Sequence, residues 1–149
     1  MNPYARSIIA GFAATVVLSA LMLMKGAMGL MPHLNVIAML AHMIGFGGPA
    51  LGWLVHFLIG TVLWGVLFAL LYPSLPGSEP VVKGMVFAVG AWLLMMIVVM
   101  PMAGAHIFGL KLGIMAPVMT LILHLIWGAA LGVVYKVLPE AGRQANASA

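Results

Sequence analysis

The sequence predicts an all-α, polytopic membrane protein: a four-helix bundle made of two similar helical hairpins. Three observations carry this. The chain is 65% hydrophobic and only 5% charged over 149 residues, whereas a soluble domain carries roughly 25% charged residues. Its apolar stretches are long and unbroken, which excludes the alternating pattern of a membrane β-strand. They also number four, each long enough for a helix to cross a hydrocarbon core of roughly 30 Å. With lipid as solvent, backbone hydrogen bonds must close within the protein, and helices close their own.

Composition removes several function classes. Six Lys and Arg stand against two acids, a formal charge of +4. These bases are scattered singly at segment ends, where they act as topology signals. They form no basic cluster, so nucleic acid is not an expected partner. The absence of cysteine excludes disulfides, thiolate metal sites and a Cys nucleophile. Both acids, Glu79 and Glu140, lie outside the apolar segments. That argues against carboxylate-driven ion exchange and against paired carboxylates for acid–base chemistry. No Ser-His-Asp or zinc-protease pattern is present, so no enzyme activity is expected.

The first span is expected at about residues 7–31, between Arg6 and a break at Met31-Pro32. Its apolar core exceeds the roughly 7–15 residues of a cleavable signal, so it reads as an uncleaved helix. Small residues Ala10, Gly11, Ala13 and Ala14 would let another helix approach closely. Lys25 reads as a side chain snorkelling to the far interface, with an anion or substrate contact as the alternative. Val36 to Ile44 is apolar but too short to span, and fits an interfacial or re-entrant helix before the Gly45–Pro49 punctuation.

The second span, about 50–72, is uncharged and leads into the turn-rich loop Pro73–Pro80. The third, about 81–103, begins with Lys83 and meets Pro101, which is expected to kink or end it. The fourth is expected at about 114–138. Residues 1–139 therefore read as one membrane domain. Residues 140–149 read as a short, polar, disordered tail, in which the Asn146-Ala-Ser148 sequon is a chance match. Arg6, Lys83, Lys136 and Arg143 fall on one side, Lys25 and Lys111 on the other. This distribution places both termini in the cytoplasm and the chain in an inner membrane.

The halves share features. Each starts with a base, breaks at Met-Pro and returns through a helix with His-x3-Gly (His56, His124) that ends in Tyr-x2-Leu-Pro. This predicts an internal parallel repeat about an axis along the membrane normal. Gly52, His56, Gly60 and Trp64 lie four residues apart and share a face, as do Thr120, His124, Gly128 and Gly132. Gly52, Gly60, Gly128 and Gly132 are thus candidate helix-packing positions.

His56 and His124 are the candidate functional residues, because an ionisable side chain inside a span is costly. Two such imidazoles can ligate haem b, bind copper or zinc, relay a proton, or simply donate packing hydrogen bonds. His106 and His42, at the far-side ends of spans, are further candidate metal ligands; with His33 they also suit a merely interfacial role. Methionine is abundant, with 14 in the chain. Met24/Met28, Met39/Met43, Met96/Met100 and Met115/Met119 form pairs four apart. Thioether with imidazole suits Cu(I), while methionine also fills irregular gaps between helices.

Three stretches carry a resemblance: Met1-Asn-Pro-x-Ala-Arg6-x-Ile-Ile-Ala-Gly-Phe12, Gly52-Trp-x2-His56-Phe-x2-Gly60-Thr-x2-Trp-Gly65, and Met100-Pro-Met-Ala-Gly104. With them the chain resembles a family of small bacterial membrane proteins of unknown function, and is loosely similar to the YagU-like inner-membrane proteins. The resemblance implies a four-helix inner-membrane protein and assigns no site residues. The leading expectation is an accessory or binding subunit, in a homo-oligomer or larger membrane complex, that presents histidine to a metal or haem. The alternative is a transporter or channel for a metal ion or small solute.

Overall fold

A computed structural model describes residues 1–45 and 48–140. Part of the Gly45–Pro49 break and the tail with its Asn146 sequon lie outside the described residues. Among those described there is no strand, and four helices are long and apolar enough to cross a membrane. They are α1 (Pro3–Ala27), α3 (Pro49–Leu71), α4 (Pro80–Met102) and α5 (Met115–Val137). A short helix, α2 (Val36–Met43), follows α1, and a 3₁₀ segment, Ile107–Leu112, joins α4 to α5. The protein is a multi-pass membrane protein. Its outward side chains agree: Leu23 is 62% exposed and Ile114 71%, and only lipid makes such a surface inexpensive.

Helix α1 spans Pro3–Ala27, earlier than the expected 7–31. Asn2 caps it by accepting from the Ala5 amide at 2.8 Å, and Pro3 sits where a missing N–H costs nothing. Gly29 and Met31 then take positive φ and end the helical path before Met31-Pro32. Lys25 does not snorkel freely. Its ammonium donates to the carbonyls of Leu30, Met31 and Leu34 at 3.1, 3.2 and 2.9 Å, fastening the turn that leads to α2. Asn35 caps α2 through the Ala38 amide.

The two middle spans are not regular α-helices. Each contains one π turn, Ile59–Leu63 in α3 and Met95–Val99 in α4. A π turn holds one extra residue, so the buried stripe changes step there. In α3 the buried positions run Gly52, His56, Gly60 and then Gly65 and Phe68. The expected four-residue spacing out to Trp64 therefore fails at the turn, leaving Trp64 half-buried. In α4 the stripe runs Ala88, Ala91 and then Met96 and Met100. Here the wider turn lies just before Pro101, whose ring lacks an N–H and crowds the carbonyl four residues back. The helix passes Pro101 and stops at Met102.

Packing follows the glycines. A Cβ on Gly128 or Gly132 would strike the α4 backbone at Gly84 or Pro80, and one on Gly60 would strike Thr15 of α1. Gly11 of α1 lies against the carbonyls of Gly60 and Thr61, and Gly52 lies against Ile37 of α2. Such contacts bring backbones together where no hydrophobic effect drives association. Helix α1 thus packs on α3 and α5, and α4 on α5; α3 and α4 come close at few backbone positions. Large side chains fill that side instead: Trp64 and Phe68 of α3 meet Phe87 of α4, at ring separations of 5.7 and 5.2 Å.

Two apolar clusters result. An aromatic one near the termini contains Phe68, Phe87, Trp127, Leu131 and Tyr135. A second, at the far end, contains Leu34, Met96, Met100 and Ala105. The terminal face is closed by a stack of four layers. Arg6 lies over the Tyr135 ring at 4.1 Å, Tyr135 stacks on Tyr72 at 4.6 Å, and Lys83 lies over Tyr72 at 4.5 Å.

Candidate functional site

Where α3 and α4 stand apart, between the two apolar clusters, the bundle holds a chamber of about 200 Å³. Every spanning helix contributes to its wall: Met22 and Lys25 from α1, His56 and Trp64 from α3, Met95 from α4, and Thr120, His124 and Trp127 from α5. The π turns border it, since Ile59, Gly60 and Leu63 line one wall and Met95 and Val99 another. The structure thus brings His56 and His124 to one cavity.

Both rings are tethered on one nitrogen. His124 Nδ1 lies 2.7 Å from the Thr120 carbonyl. A carbonyl only accepts, so Nδ1 carries a proton. His56 Nε2 lies 3.2 Å from Ser19 Oγ of α1. The single Ser19 proton is donated to the Thr15 carbonyl at 2.7 Å. Ser19 must then accept from His56, which puts a proton on Nε2. Each imidazole is therefore oriented through one nitrogen, and its other nitrogen has no hydrogen bond among the described residues. The His56 contact also joins α3 to α1, so the packing role is real for one of its nitrogens.

The tethers extend outward. Trp127 Nε1 donates to Thr15 Oγ1 at 3.3 Å, one turn of α1 from Ser19. Trp92 Nε1 donates to Thr120 Oγ1 at 3.1 Å, and Thr120 Oγ1 donates to the Ala116 carbonyl. Each histidine thus has a Trp–Thr pair beside it. Such outer contacts fix ring orientation and raise ligand basicity in metal sites.

The other candidates lie elsewhere. His33, His42 and His106 are exposed; none lines the chamber. His106 sits in a left-handed turn, φ +65°, that starts the 3₁₀ segment. Of the methionine pairs, Met96/Met100 is buried in the far-end cluster, and Met24, Met28, Met43 and Met115 face outward. The chamber thioethers, Met22 and Met95, belong to none of those pairs. Thr15 and Ser19 were missed in the sequence, where two hydroxyls one turn apart in the middle of α1 were the available signal. Met22 and Met95 gave no such signal. No group of three or more His, Cys, Asp or Glu side chains able to hold a metal occurs among the described residues.

Beyond Lys25 a second cavity, about 680 Å³, lies between the end of α1, α2 and the start of α3. Met22, Lys25, Leu34 and Val36 line both it and the chamber. The outer cavity is thus a vestibule at the end of the bundle opposite the cation–tyrosine stack.

Four membrane-length helices around a histidine-lined chamber define a small multi-pass membrane protein with an internal ligand-sized space. The chain belongs to DUF6789, a family of unknown function whose profile matches residues 1–146. No curated protein and no solved structure matches it.

Proposed function

We propose that this protein is a membrane-embedded binding subunit whose chamber takes one soft monovalent metal ion of the Cu(I) type between His56 and His124. One observation carries the reading: two imidazoles, each tethered on one nitrogen and with the other unbonded among the described residues, line the same cavity. Met22 and Met95 supply thioethers to that wall, and imidazole with thioether is the ligand set that selects Cu(I). A divalent ion would enter a chamber without any carboxylate to offset its charge, at a large desolvation cost. Haem is disfavoured by size, because about 200 Å³ lies below the roughly 300–1,000 Å³ of ordinary small-molecule pockets.

The chain sits, in this reading, in a bacterial inner membrane with both termini cytoplasmic. The excess of bases at the stacked end supports that orientation. An internal repeat is part of the proposal. Arg6 on Tyr135 and Lys83 on Tyr72 are related contacts, each joining the start of one hairpin to the end of the other. Assembly into a homo-oligomer or larger membrane complex would use the lipid-facing surfaces of α3 and α4. Transport is the second reading, favoured by the vestibule that shares a wall with the chamber. It requires the cation–tyrosine stack to open.

Anaerobic titration of the detergent-purified protein against a coloured Cu(I) chelator tests the binding reading. One Cu(I) per chain, lost in His56→Leu/His124→Leu, is expected, with Zn(II) unbound. A double variant that folds like the parent and holds the same copper would overturn it. A Soret band in the purified protein would replace copper with haem. Copper uptake by sealed proteoliposomes would replace the binding subunit with a transporter.

A further inference from the structure

We infer that the vestibule, which shares Lys25 with the wall of the histidine chamber, is a binding site for the anionic head of a membrane lipid. Its walls are mostly apolar, with Leu23, Val36, Ile37 and Ala38 among them, and its polar groups are Lys25, Asn35 and His42.

Charge points to an anion. The Lys25 protons are taken by three backbone carbonyls, which satisfy its hydrogen bonds but cannot neutralise it. The two acids of the chain lie at the opposite end of the bundle, Glu79 against Lys136 and Glu140 against Arg6. A fixed ammonium therefore faces a cavity that no carboxylate lines. The donors for an anion are on other residues. Asn35 uses its side-chain oxygen to cap α2, leaving its amide N–H groups free, and the His42 ring has no hydrogen bond among the described residues. Basic pockets between spanning helices at the membrane surface hold lipid head groups in this way.

Shape separates a lipid from a free anion. A cavity of about 680 Å³ falls within the usual range for a small-molecule site. Its apolar walls suit the glycerol and upper acyl chain of a lipid and would only desolvate a free phosphate. Trp53, on the wall at the start of α3, is the kind of amphipathic ring that sits at head-group level.

The test is native mass spectrometry of the full chain released from detergent containing phosphatidylglycerol, phosphatidylcholine or glycerol phosphate. One retained phosphatidylglycerol per chain is expected, with phosphatidylcholine and glycerol phosphate not retained. Lys25→Met should weaken retention roughly fivefold, the effect of one base near an anionic head. Because Lys25 also fastens the α1–α2 turn, Ala38→Trp is the second variant: it fills the cavity from an exposed wall position and should abolish retention. Equal retention of both lipids, or unchanged phosphatidylglycerol binding in Ala38→Trp, would overturn the site. Displacement of the lipid by glycerol phosphate would make it a site for free anions instead.

Discussion

A matched pair of glycine substitutions tests whether backbone contact between α4 and α5 holds the bundle together. Gly128 of α5 is buried, and a Cβ there would meet the Gly84 carbonyl of α4 and lie 2.5 Å from Ala88 Cβ. That is about 1 Å inside the ordinary carbon–carbon contact of roughly 3.5 Å. The obstacles are backbone and a methyl, which cannot rotate aside. The helices must part, and overpacking of this kind costs about 1–3 kcal/mol. Parting them also disturbs the neighbouring contacts of Gly84 and Gly132. Gly90 of α4 has nothing within 4 Å of its would-be Cβ, so Gly90→Ala should gain up to about 1 kcal/mol of helix propensity. The same gain is available to Gly128→Ala, which leaves a net loss of up to about 2 kcal/mol relative to the parent. The assay is reversible unfolding in mixed micelles, followed by far-UV circular dichroism. Gly128→Ala should unfold at lower denaturant than the parent and Gly90→Ala at equal or higher. Equal shifts for the two variants would refute the argument, because helix propensity alone would then explain both.

Three further outcomes follow from the same contacts. Arg6→Ala removes a buried guanidinium that donates to the Tyr135 carbonyl at 2.8 Å and stacks on its ring; thermal unfolding in micelles should report a loss of about 2–4 kcal/mol, with little of it from the half-exposed Glu140. Ser19→Ala removes the acceptor that sets the His56 tautomer, so Cu(I) affinity should fall about 10–100-fold in the chelator titration while the fold survives. Thr120→Val leaves the Trp92 N–H without its partner and should cost about 1–3 kcal/mol, visible as a shifted Trp fluorescence maximum and a lower midpoint.

The four spans were legible because apolar length is a strong signal in a chain with so few charges. The close-packing positions were legible for a related reason: in lipid, small residues four apart on an apolar helix have few uses other than close approach. The π turns were not legible. Gly60 to Gly65 and Ala91 to Met96 are five-residue steps in the buried stripe, but a regular helix could equally have turned one of each pair outward. The start of α1 was placed late because the span was set by its apolar run after Arg6, and the cap formed by Asn2 and Pro3 was not read. Lys25 was read by its length and charge, and three carbonyls from a turn the sequence did not specify decided its contacts. The two histidines could be singled out from their helices. Their tethers could not, because Ser19 comes from another span and the Thr120 carbonyl is backbone.

The Arg6 contact has a consequence for biosynthesis. The guanidinium and the Tyr135 carbonyl it holds are 129 residues apart in the chain. At roughly 5–20 residues per second, Arg6 waits on the order of ten seconds for its partner. The first hairpin, α1 with α3, can close on Gly11, Gly60 and Gly65 during that time. Lys83 can already hold Tyr72 at the terminal face, but the Arg6 side of the stack stays open until Tyr135 is made. The C-terminal turn of α5 therefore closes the stack, and a chain truncated before Tyr135 would leave Arg6 without the ring and carbonyl that hold it.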